Sequence, residues 1–103
     1  MAVRAEVRRF LELGPLPSEE DDSEAGDAAF GELERSLVAV RWPVSDDEAR
    51  LLVQGFGADE CFGLAWRLLH LVETSPTPVP ASEPAADANE WLRLLWSRQH
   101  EGT

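Results

Sequence analysis

The sequence predicts an all-α protein, an irregular four- to five-helix bundle around a central hydrophobic helix at about residues 59–74. Three observations lead to that fold. Apolar residues recur at three- and four-residue spacing in successive stretches, no strand-like alternation of useful length appears, and one stretch is apolar on nearly every side. A chain of 103 residues, 44% of them hydrophobic, suits a single domain over residues 1–103 with one core.

Val3, Val7, Phe10 and Leu11 mark a short amphipathic helix over residues 3–13, ended by Gly14 and Pro15. Residues 16–26 read as an acidic loop or a weak helix start: Glu19, Glu20, Asp21, Asp22 and Glu24 stand there with no cation, and such density repels itself. From Asp27 the pattern becomes regular. Phe30, Leu33, Leu37 and Val40 line one stripe of a second helix, which must end before Trp42 because Pro43 pushes its predecessor out of helical geometry.

Ser45 followed three residues later by Glu48 is a capping box, the clearest local signal in the chain. It opens a short third helix with Ala49, Leu52 and Val53 inward and Gly55 as its stop. Asp59 is then expected to cap the central helix, in which only Arg67, His70 and Glu73 interrupt a run of apolar residues that includes Trp66 as a core residue. Four prolines make residues 75–86 an extended linker. Asp87 and Glu90 repeat the capping pattern, and Trp91, Leu92, Leu95 and Trp96 give a terminal helix to about Gln99. Trp91 and Trp96 lie about 140° apart around that helix, so they cannot both point inward.

Composition excludes several kinds of chemistry. There is no lysine, which removes Schiff-base and Walker-type phosphate chemistry, and the single Cys61 allows neither an internal disulfide nor a multi-cysteine metal site. Isoleucine and tyrosine are absent too, a pattern expected of a GC-rich bacterial genome. Charged residues break up the first thirteen positions and no apolar run approaches the ~20 residues that span a bilayer, so a cytoplasmic protein without membrane association is expected. With 20 acids against nine arginines the net charge is −11, which repels nucleic acid.

The remaining chemical candidates have simpler structural readings. His70 and Glu73 share a helix face but lack a convergent third ligand, so a polar stripe is expected rather than a metal half-site; neither a metal nor a cofactor is implied. Cys61 among Phe62, Leu64 and Ala65 reads as a small buried hydrophobe rather than a nucleophile. Gly55 and Gly57 read as helix punctuation, because a phosphate loop would need a further glycine, a preceding strand and a lysine.

The acidic excess has two readings, a plain one in which helix N-termini favour acids and net charge promotes solubility, and a functional one. Eight acids and no base lie between Glu19 and Glu34, and Asp46, Asp47, Glu48, Asp59 and Glu60 cluster at two helix starts. Acids gathered on one side steer a basic partner and make its association salt-dependent. In size, acidity and helical build the chain resembles the small immunity proteins that neutralise bacterial nuclease toxins; Leu71 to Pro76, LVETSP, is similar to the context in which a helix of the colicin nuclease immunity family ends. That family's binding tyrosine pair has no counterpart in a chain without tyrosine, so no binding residue is carried over.

The sequence therefore leads to the expectation of a non-enzymatic interaction domain that binds a basic protein, such as a toxin, by occlusion and charge complementarity. Glu19, Glu20, Asp21, Asp22, Glu24, Asp27, Asp46, Asp47 and Glu48 supply the field and Trp42 an apolar anchor. The alternative is an accessory or regulatory subunit, homodimeric in its simplest form, that associates through an apolar patch on the last helix.

Overall fold

The computed structural model describes residues 3–16, 24–57, 59–80 and 82–101, and among these every regular element is helical. The helices are α1 (Ala5–Glu12), α2 (Glu24–Ala39), α3 (Asp46–Leu52), α4 (Leu64–Val72) and α5 (Glu90–Glu101), with 3₁₀ turns at Val53–Gly55 and Cys61–Gly63. None of them is long and apolar enough to cross a membrane. The expected all-α bundle is the observed architecture.

Two hubs organise it. α1 buries Val7 and Phe10 between α2 and α3, while α4 packs against α3, the 3₁₀ turns and α5. Leu64, Ala65, Leu68, Leu69, Leu71 and Val72 of α4 are all buried, together with Leu33 and Leu37 of α2, Ala49 and Leu52 of α3 and Trp91 and Leu95 of α5. Polar ties fix the outer helices. Arg9 Nη2 on α1 donates to Glu32 Oε2 on α2 at 2.9 Å, and Arg98 on α5 makes a fork to Glu73 with Nε–Oε2 2.7 Å and Nη2–Oε1 3.0 Å.

Helix boundaries follow local chemistry, in places differently from the sequence expectation. α2 begins at Glu24, so the acidic stretch expected to be loop through Gly26 enters helix three residues before Asp27, where acids meet the positive end of the helix dipole. Gly14 has φ +89° and ends α1 as expected. The central helix is shorter than the 59–74 span. Asp59 Oδ1 accepts from the Cys61 N–H at 3.0 Å, but Cys61 at φ 46° and Gly63 at φ 94° are left-handed and confine that cap to one 3₁₀ turn. α5 is capped not by Asp87 but by Asn89, whose Oδ1 accepts from Trp91 N at 2.8 Å while its Nδ2 donates to Gly57 O at 3.0 Å. One side chain thus caps the helix and moors it to the preceding turn.

Residues 75–80 are not a free spacer. Val79 is buried, its carbonyl accepts from Gln99 Nε2 at 2.6 Å, and the Thr77 N–H donates to Asp46 Oδ1 at 2.9 Å. The Trp42–Pro43 and Val79–Pro80 peptides are cis.

Gly57 does more than punctuate. A Cβ there would stand 2.1 Å from Leu16 O, a backbone atom, beside the point where Leu16 N donates to Gly55 O at 2.8 Å. The segment after α1 is pressed onto the turn after α3, and only glycine leaves room. Gly57→Ala is expected to cost at least about 2 kcal/mol of unfolding free energy, measured by urea denaturation, because backbone has to move. A cost below about 0.5 kcal/mol would show that the close approach is dispensable.

Candidate functional site

Three of the ten residues expected to bind a partner, Asp46, Asp47 and Glu48, stand in the first turn of α3, where the structure separates their roles. Glu48 is only 2% exposed. Its Oε2 accepts from Arg4 N at 3.0 Å and Arg4 Nε at 2.9 Å, and its Oε1 from Arg4 Nη2 at 3.1 Å and Ser45 N at 2.9 Å. Burial by itself would raise this carboxyl; the hydrogen bonds from Arg4 and Ser45 and the guanidinium charge outweigh it and bring the pKa down to about 2. Glu48 is therefore an internal staple between the chain before α1 and the start of α3, with no part in a surface, which corrects the expectation.

Asp46 and Asp47 stay at the surface, half-buried. Hydrogen bonding from Thr77 holds the Asp46 carboxyl below the ordinary carboxylate range, and Asp47 pairs with Arg50 one turn on. Glu19, Glu20, Asp21 and Asp22 lie outside the described residues; Glu24 and Asp27 lie on α2, with side chains outside them.

Trp42 is the predicted site residue that the structure sets apart. Its indole is 76% exposed. The backbone around it is nonetheless held: Arg4 Nη2 donates to Arg41 O at 2.8 Å, and Val44 N donates to Thr74 Oγ1 at 3.0 Å, whose own hydroxyl donates to Leu71 O at 2.6 Å. Trp42 overhangs a groove of about 290 Å³ between the end of α2 and α4, lined by Leu37, Val40, Arg67, His70, Leu71 and Thr74. Leu37, Val40 and Leu71 make its floor apolar. Arg67, exposed and without an ion-pair partner among the described residues, gives it a cationic edge.

On the neighbouring side of α4 lies a cleft of about 570 Å³, open to solvent and lined by residues that include Glu60, Trp66, Glu90, Trp91, Arg93 and Leu94. Trp66 was expected in the core; it is half-buried in the cleft wall. α4 has neighbours on only part of its circumference, and Trp66 lies one turn from His70 on the uncovered part. Trp66 Nε1 donates to Glu60 Oε1 at 2.6 Å, and its ring meets Trp91 edge-to-face at a centroid distance of 5.1 Å. Phe56 stacks on Trp91 from behind at 5.8 Å.

The Trp66 and His70 rings join the groove and the cleft, with centroids 6.3 Å apart and planes tilted by 40°. One aromatic belt therefore runs across α4 from Trp42 through His70 and Trp66 to the edge of α5. Arg67 stands at its first end and Glu60 and Glu90 at its second. The sequence marks Glu60 as a helix-start acid and Glu90 as part of a cap, and places neither in the binding set; the outward face of Trp66 has one available signal, the polar stripe of Arg67 and His70, which marks the side of α4 that meets water.

The alternative chemical candidates do not converge. Glu73 pairs with Arg98, Cys61 is fully buried and His70 lines the groove. Among the described residues no group of three or more His, Cys, Asp or Glu side chains could hold a metal ion. The exposed large apolar side chains among those residues are Val38, at 51%, and Trp42, and neither lies on α5. The chain matches no family model, no curated protein sequence and no solved structure.

Proposed function

We propose that this protein is a non-enzymatic interaction domain that binds a basic protein and blocks the surface it covers, as an immunity or antitoxin factor does. The observation that carries the reading is Trp42, a large apolar side chain left 76% exposed on a braced turn beside an apolar-floored groove. Removing an aromatic of this size from water is worth on the order of 3 kcal/mol before the costs of association, and tryptophan in such a setting is a typical hot spot. The belt from Trp42 to Trp66 supplies the contact area, and the net charge of −11 supplies long-range attraction to a basic surface.

Charge then governs the approach of the partner more than the lifetime of the complex. Neutralising Asp21, Asp22 and Glu24 together is expected to slow association by about threefold or more at low salt, with a smaller change in dissociation, measured by surface plasmon resonance against the captured partner. The difference should shrink as ionic strength rises and the Debye length falls to about 8 Å at 0.15 M. An association rate unchanged at low salt would remove steering from the account.

A further inference from the structure

The geometry points to the cleft between α4 and α5 as a receptor for an arginine side chain presented by the partner, an assignment that rests on the basic-partner reading and gives it a specific contact. A guanidinium is planar, permanently charged and able to stack on an aromatic face while it donates in its own plane to carboxylates. The cleft offers both halves of that arrangement. Trp66 provides an indole wall, held edge-to-face against the buried Trp91. Glu60 and Glu90 provide the carboxylates.

Glu60 is already oriented. Its Oε1 accepts the indole N–H of Trp66 at 2.6 Å, which holds the carboxylate at the ring and leaves Oε2 for a second donor. An incoming guanidinium therefore meets a carboxylate and an aromatic wall whose relative positions are set beforehand, which lowers the ordering cost of binding. The volume of about 570 Å³ accommodates an arginine side chain with the peptide that carries it.

Arg93 is the cation of the cleft itself, one turn along α5 from Glu90. It has no ion-pair partner among the described residues and stands as a competitor for the same carboxylates. This gives the assignment a second sign: removing a carboxylate charge weakens binding, and removing the Arg93 charge strengthens it.

N-acetyl-arginine amide, titrated into the isotope-labelled full chain, tests this through the indole N–H signals of Trp66 and Trp91. Both are expected to shift saturably. Glu60→Gln, which keeps an acceptor for the indole while removing the charge, and Glu90→Gln should each weaken binding at least about fivefold. Arg93→Gln should tighten it about twofold, Glu83→Gln on the exposed linker should change nothing, and N-acetyl-lysine amide should bind more weakly than the arginine probe. Unchanged thermal melting of each variant establishes that the cleft persists. Absence of a saturable shift, equal shifts from both probes, or weaker binding in Arg93→Gln would overturn the assignment. The titration uses the protein alone, so its failure is separate from that of the basic-partner reading, which stands or falls on salt-sensitive association.

Discussion

Glu48→Ala lowers the unfolding free energy by about 3–5 kcal/mol, the loss expected when one member of a buried ion pair is removed. Four hydrogen bonds to Glu48 disappear together: three from Arg4 and one from the Ser45 N–H, which is half of the capping box. The Arg4 side chain is 38% exposed and regains some water, which places the cost towards the lower end. In a domain of this size each kcal/mol moves the melting temperature by about 4–8 °C, so a fall of at least about 12 °C is expected in calorimetry.

Acid supplies an independent check on the same residue. The folded-state pKa of about 2 lies below the ordinary 4.5, so the native state holds the charged form more tightly than the unfolded chain does. This contribution, about 3 kcal/mol, is fully present above pH 4.5 and is lost as pH falls towards 2. The stability difference between wild type and Glu48→Ala should therefore narrow through that window, measured by urea titrations at several pH values. A difference that stays constant from pH 7 to pH 2 would show that Glu48 acts through packing rather than charge.

Trp42→Ala is expected to do the opposite: leave stability within about 0.5 kcal/mol of wild type and cost at least about 2 kcal/mol in partner binding, a factor of about thirty. The folded protein spends little on an indole that is 76% exposed. Loss of binding without loss of stability separates an anchor from a core residue. If the variant instead melts well below wild type, Trp42 is a lid over the core and the groove beneath it is packing space.

The fold was legible in the sequence because it depends on local patterns that act within one helix. The stripes of α1 and α2, the Ser45 cap, the stop at Gly14 and the burial of Cys61 all follow from spacing and backbone chemistry. The Ser45–Glu48 pair was readable as a cap, but its partner Arg4 is 44 residues away and nothing local announces it. Glu48 consequently looked like a surface acid. The central helix was read too long because glycine's tolerance of positive φ is visible in a sequence, whereas its use at Gly63 is set by the turn that Asp59 closes.

The site was legible only in part. Trp42 beside Pro43 at the end of a helix marked a boundary residue that need not enter the core, and the structure leaves it exposed. Trp66 is apolar within an apolar run, and helical periodicity cannot reveal which side of a central helix its neighbours leave bare. The Gln99–Val79 and Thr77–Asp46 bonds, which convert a proline-rich spacer into packed structure, are likewise tertiary and have no signature in composition.

Retention from a native lysate on immobilised wild type and on immobilised Trp42→Ala, loaded at low salt and eluted by a salt step, probes the belt across α4 directly. Wild type should hold a basic protein that the salt step releases, and the variant should fail to hold it. Equal retention of that protein by both, or a partner that is acidic and indifferent to salt, would contradict the proposed interaction surface.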